Sequence, residues 1–328
     1  MWETKPPMRS SIFPHISVPM ASASASPTLL LLFALCFVLN NGVGECRKLA
    51  KGPMHEARNH TRIRPACVLN NEVQHTAQCY SPRSIYYGAK AKMSVHVLPT
   101  VQTAHVSSTL IEVLNDESDG TQKQLNMIRA GWQVSPDLYG DTQTRLFTYW
   151  TTDHNQTTGC YDVQCSGFII ESGTSIRPGS ILSEWSSYGG DQTYITLTIS
   201  KDPSSGHWWL VYEDAETRDT VGYWPNSLFT SLSKRATKIG YGGLVIFPKD
   251  SNGPPMGSGH LSNEGVDKAA HLRNLQFMDS SQTFQDYVHH SVKVDAPECY
   301  DVSSPSNTGD EAGVHFYFGG PKGCTNKR

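Results

Sequence analysis

The sequence has little charge and no excess of basic residues. Only 17% of its 328 residues are charged, and 27 Lys+Arg against 30 Asp+Glu give a formal net charge of −3. Proteins that bind nucleic acid concentrate positive charge on one surface, because the phosphate backbone supplies most of their affinity. We therefore expect no nucleic-acid partner.

Several catalytic signatures are also missing. The 13 histidines include no His-Glu-x-x-His motif, and the adjacent His289 and His290 would point to opposite faces of a strand, so no metal site is predicted. Residues 256–260 (Met-Gly-Ser-Gly-His) lack the spacing of a serine nucleophile elbow, and residues 241–243 (Tyr-Gly-Gly) are not followed by the Lys-Thr of a phosphate loop.

No hydrophobic run reaches the length of about 20 residues that spans a membrane. The longest, residues 29–39, is followed by small residues and fits the core of a signal peptide, so residues 1–45 are interpreted as an N-terminal extension and signal peptide. A retained signal anchor is the alternative. Met20 would be a more ordinary start, so translation of residues 1–19 stays open. The signal peptide predicts a protein secreted to the extracellular space or cell wall.

Removal of Cys36 with the signal peptide leaves an odd number of cysteines, namely Cys46, Cys67, Cys79, Cys160, Cys165, Cys299 and Cys324. In an oxidising compartment we expect disulfides Cys160–Cys165 and Cys299–Cys324, with the unpaired thiol among the other three. Asn59 and Asn155 lie in glycosylation sequons, which accords with secretion.

Short segments of alternating polarity fill the rest of the chain. Residues 46–85 have few apolar pairs and resemble a loosely folded leader, whereas residues 86–328 contain many short strands separated by turns. The clearest strand is residues 194–199, and a Lys-Asp-Pro-Ser-Ser-Gly turn joins it to residues 207–212 in a hairpin. Leu228, Leu232 and Ala236 have helical spacing. We predict an all-β fold, an antiparallel β-sandwich of two stacked sheets with at most one or two short helices.

Pairs of aromatic residues suggest a binding groove. Trp208-Trp209 and Tyr223-Trp224 offer flat rings that suit proline or pyranose rings, unless one member of each pair is core and the other a cross-strand partner. The full set of groove candidates is Trp132, Trp208, Trp209, Tyr223, Trp224 and Tyr241.

A series of motifs in fixed order resembles one known family. The motifs are Gly-Trp-Gln-Val at residues 131–134, Leu-Tyr-Gly-Asp at 138–141, Thr-Arg-Leu-Phe at 144–147, Tyr-Trp-Thr-Thr-Asp at 149–153, Thr-Gly-Cys-Tyr at 158–161, Gly-Tyr-Trp-Pro at 222–225, Met-Gly-Ser-Gly-His at 256–260 and Phe-Gly-Gly-Pro at 318–321. From about Gly88 onward the chain closely resembles the neprosin-domain proteins of plants. The resemblance implies a secreted glutamic peptidase with prolyl endopeptidase activity and no metal or organic cofactor, and makes residues 46–85 a short, diverged activation-peptide remnant.

The chain departs from the resemblance at the catalytic glutamates. Arg129 stands where the family has the glutamate of Ile-Glu-Ala-Gly-Trp, and Leu244 where it has the glutamate that follows Trp-Gly-Gly. Arginine stays protonated and leucine does not titrate, so neither can serve as a general base.

Three hypotheses follow. The favoured one is a catalytically silent, monomeric homologue that keeps a groove for proline-containing peptide or cell-wall protein. The second is an active proline-specific endopeptidase that uses other carboxylates, such as Glu171, Glu184 or Glu264. The third is a sandwich that binds carbohydrate or cell wall through its exposed tryptophans.

Overall fold

The structure is a computed structural model that describes residues 71–117, 125–287 and 291–325. In chain order the strands are β1 (Glu72–Tyr80), β2 (Gly88–Ser94), β3 (Val106–Asn115), β4 (Asn126–Val134), β5 (Arg145–Thr151), β6 (Cys160–Tyr161), β7 (Ile169–Ile170), β8 (Tyr194–Lys201), β9 (Trp208–Glu213), β10 (Arg218–Trp224), β11 (Lys238–Pro248), β12 (Met256–Gly257), β13 (Ala270–Met278), β14 (Phe284–Asp286), β15 (Ser291–Val294), β16 (Asp301–Val302), β17 (Ser306–Asn307) and β18 (Val314–Gly320). One α-helix, α1 (Pro136–Tyr139), and two short 3₁₀ segments, Asn226–Leu228 and Ser262–Glu264, complete the described elements.

These strands form two antiparallel sheets. The first has seven strands in the order β15-β1-β11-β3-β4-β5-β6. The second has eleven, with the path β12-β18-β13-β2-β8-β9-β10-β7 and with β14, β16 and β17 paired at its β13 and β18 end. The predicted all-β sandwich and its antiparallel sheets are confirmed, and the hairpin between β8 and β9 pairs as expected, with Lys201 opposite Trp208.

The main core lies between the two sheets. The alternation in β8 buries Ile195, Leu197 and Ile199 while Tyr194, Thr196 and Thr198 stay partly exposed, because successive side chains of a strand point to opposite faces. Strands β3 and β4 are buried at every position. Their residues on one face, such as Ile111 and Trp132, join this core, so the seven-stranded sheet has a second face that is turned away from the eleven-stranded sheet.

Two sequence expectations differ from the structure. The sandwich begins at Glu72 rather than at residue 86, because β1 occupies an interior position between β11 and β15. The helix expected from Leu228, Leu232 and Ala236 is wrong: in this stretch only the 3₁₀ segment Asn226–Leu228 forms, Leu232 is buried in a turn, and Ala236 is buried in an isolated antiparallel bridge with Tyr86. The expected signal peptide, the histidine pair 289–290, Asn59, Cys46 and Cys67 lie outside the described residues.

Both expected disulfides are present, Cys160–Cys165 and Cys299–Cys324. Cys79 is a free thiol in the main core, and burial raises its pKa to about 12, so it is unreactive at neutral pH. No helix within the described ranges is long and apolar enough to cross a membrane.

The two disulfides are expected to differ in their contribution to stability. Replacing both cysteines of the 25-residue loop closed by Cys299–Cys324 with serine should lower the free energy of unfolding by about 3 kcal/mol on loop-entropy grounds. The same change at Cys160–Cys165, which closes a loop of 5 residues, should cost about 2 kcal/mol. Urea denaturation of the two double variants measures the difference. A larger loss for the shorter loop would contradict the entropic account.

Candidate functional site

One row of side chains crosses the second face of the seven-stranded sheet through the position of the first lost glutamate. The strand register places Tyr80 opposite Gly240, Gly240 opposite Glu112, Glu112 opposite Arg129, and Arg129 opposite Tyr149. Residues paired in this way point to the same face of a sheet. Five strands therefore bring the carboxylate of Glu112, the guanidinium of Arg129 and the phenols of Tyr80 and Tyr149 together in one row.

Arg129 and Glu112 form a buried ion pair at the centre of this row. The Nε–H group of Arg129 donates to Oε2 of Glu112 at 2.6 Å, and the two side chains are only 10% and 4% exposed. Burial opposes the charge of Arg129, but the charge and the hydrogen bond of Glu112 outweigh it and raise the pKa of the guanidinium. The guanidinium also lies 5.9 Å above the ring of Tyr149. Arg129 is therefore a fixed cation whose counter-ion is Glu112.

Tyr80 and Gln78 extend the cluster on the other side of Glu112. The Tyr80 hydroxyl donates to Oε1 of Gln78 and lies 3.3 Å from Oε1 of Glu112. Burial and the nearby charge of Glu112 raise the pKa of Tyr80, so its phenol stays protonated. Nε2 of Gln78 is buried without a hydrogen-bond partner in the part of the chain that the structure describes. The cluster thus holds an unsatisfied donor beside the ion pair.

Gly240 makes room for the Tyr80 ring. A Cβ atom at this position would lie 2.7 Å from Cε1 of Tyr80 and 3.4 Å from Cβ of Glu112. The ring of Tyr80 therefore occupies the space that a side chain at position 240 would need.

The second lost glutamate position, Leu244, lies on the same face but in another row. Leu244 is opposite Ser108, four residues along β3 from Glu112. Four residues of strand span about 13 Å, and two strand spacings add about 10 Å sideways. Leu244 packs with Leu110 and Phe147 in an apolar cluster. Arg129 and Leu244 thus share a face but do not lie directly opposite each other.

The alternative carboxylates do not form an acid pair. Glu171 directly follows β7 at the edge of the eleven-stranded sheet, and Glu184 lies exposed in the connection before β8. Glu264 lies in a 3₁₀ segment, where its carboxylate accepts hydrogen bonds from the Tyr188 hydroxyl and pairs with His260. None of the three glutamates belongs to the seven-stranded sheet.

Most of the predicted groove aromatics are core residues. Trp132, Trp208, Trp224 and Tyr241 are fully buried, and for three of them a ring N–H or hydroxyl group donates to a main-chain carbonyl. The groove prediction is wrong for these four, because each lies on the inward side of its strand. Trp209 and Tyr223 are partly exposed, but they lie on the eleven-stranded sheet.

Residues that the sequence did not single out form a second polar network on the seven-stranded sheet. Asp162 is 4% exposed; its Oδ1 accepts the N–H of Thr148 and its Oδ2 accepts the hydroxyl of Tyr139, both at 2.8 Å. Nε2 of Gln133 donates to the same hydroxyl at 2.9 Å. Burial raises the pKa of Asp162 to about 7, so this carboxyl takes up a proton in mild acid.

The titration of Asp162 is expected to change the free energy of unfolding with pH in the opposite direction from the titration of two buried histidines. Its raised pKa, against 3.8 for a free carboxyl, makes its contribution to stability fall as the pH rises toward 7. Burial lowers the pKa of His96 to about 3 and of His271 to about 4, so their contributions are lost as the pH falls below 6.5. Replacing Asp162 with Asn should therefore steepen the rise of unfolding free energy between about pH 4 and pH 6.5, by about 1.4 kcal/mol per pH unit. Urea denaturation across this range measures it, with Asp191→Asn, an exposed aspartate, as control. An unchanged slope would contradict the assignment.

Asn155 contacts the candidate site through Tyr149, whose hydroxyl donates to its Oδ1 at 2.6 Å. Asn155 is half-buried in a turn at positive φ. Its glycosylation stays a prediction.

Among the described residues, one group of possible metal ligands lies close together, namely Glu298, Cys299 and Cys324. Its two sulfur atoms form a disulfide and are not available to a metal. The absence of a cofactor likewise stays a prediction.

The comparison with protein families agrees with the resemblance. A family model described as Neprosin matches residues 103–321. Among solved structures, SCP-B, a member of the eqolisin family of peptidases in complex with the tripeptide Ala-Ile-His, matches with a TM-score of 0.41 and 11% identity over 75% of this chain and 98% of its own. Scytalido-glutamic peptidase with a peptide-based transition-state analogue matches with a TM-score of 0.38 and 10% identity over 75% and 97%. At these scores the structural likeness says nothing about the site. The family model covers more than half of the sequence, and the chain therefore belongs to the neprosin family.

Proposed function

We propose that this chain is a secreted, hydrolytically silent neprosin-domain protein that binds peptide on the second face of the seven-stranded sheet. The observation that carries this proposal is the buried ion pair of Arg129 with Glu112 at 2.6 Å. A glutamic peptidase needs one ionised carboxylate to activate water and one protonated carboxyl to polarise the scissile carbonyl. The row around Arg129 supplies one carboxylate, that of Glu112, and this carboxylate is already ion-paired with the guanidinium of Arg129.

The same cluster can still bind an acceptor. Among the described residues, Nε2 of Gln78 has no hydrogen-bond partner, and Nε is the one guanidinium nitrogen of Arg129 that makes a hydrogen bond. Unpaired buried donors favour a ligand that accepts hydrogen bonds. A peptide carbonyl suits the site better than a carboxylate, because a carboxylate would leave the neutral ion pair with a buried net negative charge. Proline-containing peptide fits, since an X-Pro amide offers a carbonyl but no N–H group.

The alternative of an active endopeptidase is tested by incubating the purified full chain with a proline-rich peptide from about pH 3 to about pH 7. We expect no product by mass spectrometry at any pH. Cleavage that is lost in Glu112→Gln, Glu171→Gln, Glu184→Gln or Glu264→Gln would overturn the proposal and identify the carboxylate that acts.

Secretion to the extracellular space or cell wall and a monomeric state belong to the same proposal. Two disulfides among the described cysteines support an oxidising compartment. Expression of the full chain in plant cells tests both points, through its recovery from the culture medium and its elution volume on a calibrated column. Retention inside the cell, or elution as a dimer, would contradict them.

A further inference from the structure

The outward face of the eleven-stranded sheet carries a second candidate binding surface, far in the fold from the Arg129 row. Its strand register aligns Ser200 with Trp209, Trp209 with Tyr223, and Tyr223 with Ile169. We call these four residues the aromatic strip. Trp209 and Tyr223 are partly exposed and Ile169 is 44% exposed, whereas their chain neighbours Trp208 and Trp224 point into the core. Two of the aromatic residues are thus left at the surface on the same side.

Ring contacts hold the aromatic strip in place. The rings of His207 and Tyr223 stack in parallel, with centroids 4.8 Å apart and planes 1° apart, and the rings of Trp209 and Tyr223 lie 4.5 Å apart. The main-chain N–H of Asn226 donates to Nδ1 of His207 at 3.1 Å. This bond places the proton of a neutral His207 on Nε2, which is left as a donor. The side chains are therefore ordered before any ligand binds.

The side of Trp209 away from Tyr223 borders small residues. Next in the row is Ser200, and beyond it Gly88, so no bulky side chain of this row stands beside that side of the indole. The two strand spacings between Trp209 and Gly88 make a shelf about 10 Å wide. Thr198, partly exposed on the same face of β8, adds a second hydroxyl.

At the other end of the strip is an open cavity of about 500 Å³, which is lined by Phe168, Ile169, Pro225 and Leu228, with Ser166 and Ser227 at its polar positions. A ligand that lies across the strip can extend into this cavity. The strip and the cavity lining contain hydroxyl groups and apolar surface but no charged side chain.

We propose that the aromatic strip binds a neutral polysaccharide built of pyranose rings. The apolar face of a pyranose packs on a flat aromatic ring, and its hydroxyls pair with short polar groups such as those of Ser200, Thr198 and Nε2 of His207. The strip itself carries no charged side chain to attract a polyanion, and the lysine nearest its polar groups along the register, Lys90, lies opposite Thr198 on the neighbouring strand. A chain of sugars also suits a surface that runs across four strands and ends in an open cavity.

Affinity electrophoresis of the full chain in gels that contain soluble xyloglucan, mixed-linkage β-glucan, galactomannan or polygalacturonate tests the proposal. We expect at least one neutral polymer to retard the protein, in a way that persists at about 0.5 M NaCl. Trp209→Ala should weaken this binding by about tenfold or more, since loss of one stacked ring removes at least that much affinity. Trp185→Ala is the matched control, because Trp185 is 47% exposed but lies outside the strip.

A second variant distinguishes loss of binding from loss of folding. Ser200→Arg fills the shelf from a partly exposed position and should also abolish retardation. Near-ultraviolet circular dichroism verifies the fold of each variant. The proposal is overturned if no neutral polymer retards the wild type, if only polygalacturonate does so, or if Trp209→Ala and Ser200→Arg bind as the wild type does. Because the strip and the Arg129 row lie on different sheets, failure here leaves the peptide-binding proposal intact.

Discussion

Replacing Arg129 with methionine should lower the free energy of unfolding at neutral pH by about 3 to 5 kcal/mol, because the change leaves a buried charge without its partner. Glu112 is 4% exposed on its side chain, so bulk water solvates the carboxylate left behind only poorly. Urea denaturation of the variant and of the wild type at neutral pH measures the loss.

A double variant separates the cost of breaking the ion pair from the net contribution of the ion pair to the free energy of unfolding. Glu112→Leu combined with Arg129→Met removes both charges, and the result should be near wild-type stability or above it. The surface pair of Arg218 with Glu213 is the control: Arg218 is 77% exposed, and Arg218→Met should change stability by less than about 1 kcal/mol. A single Arg129→Met variant as stable as the wild type at neutral pH would contradict the buried ion pair.

Gly131→Ala should destabilise the protein by about 3 kcal/mol or more, since the added methyl group meets main chain rather than a movable side chain. A Cβ atom at position 131 would lie 1.9 Å from the carbonyl oxygen of Thr109 and 2.8 Å from Cα of Leu110. Strand β3 would have to move away from β4, and the register that places Glu112 opposite Arg129 would be disturbed with it. Thermal unfolding of the variant measures the loss.

Gly190→Ala is the matched control for this steric argument. Its Cβ atom would meet only the Cβ of Ser187, at 3.3 Å, in an exposed turn. It should therefore unfold within about 1 kcal/mol of the wild type. Equal losses of stability in the two glycine variants would show that β3 and β4 do not approach each other as closely as they do in the structure.

The sequence predicted the sandwich well where polarity alternates along a strand. Strand β8, with Ile195, Leu197 and Ile199 against three polar neighbours, is the clearest case. Strand β1 was missed because its interior position buries Gln78 and Thr76 with the apolar residues, so its composition resembles that of a solvated leader. A strand that is buried on both faces carries no alternation to detect.

Only part of the candidate site could be predicted from the sequence. Motif order located Arg129, but it could not show that Glu112, from another strand, lies opposite it. One signal was available: Glu112 is the single acid in the apolar run Leu-Ile-Glu-Val-Leu, and a buried acid needs a partner. Tyr80 and Gln78 reach the Arg129 row, and Asp162 reaches the second polar network, from distant parts of the chain, which only the folded structure shows.

The Arg129 row is proposed to bind peptide without cutting it. The most direct measurement is a calorimetric titration of the full chain with a proline-rich peptide, followed by mass spectrometry of the same sample after long incubation. We predict saturable binding of a peptide that remains intact from about pH 3 to about pH 7, and loss of that binding in the Glu112→Leu, Arg129→Met double variant, which keeps its fold. A shortened peptide, or a double variant that binds as tightly as the wild type, would contradict the account.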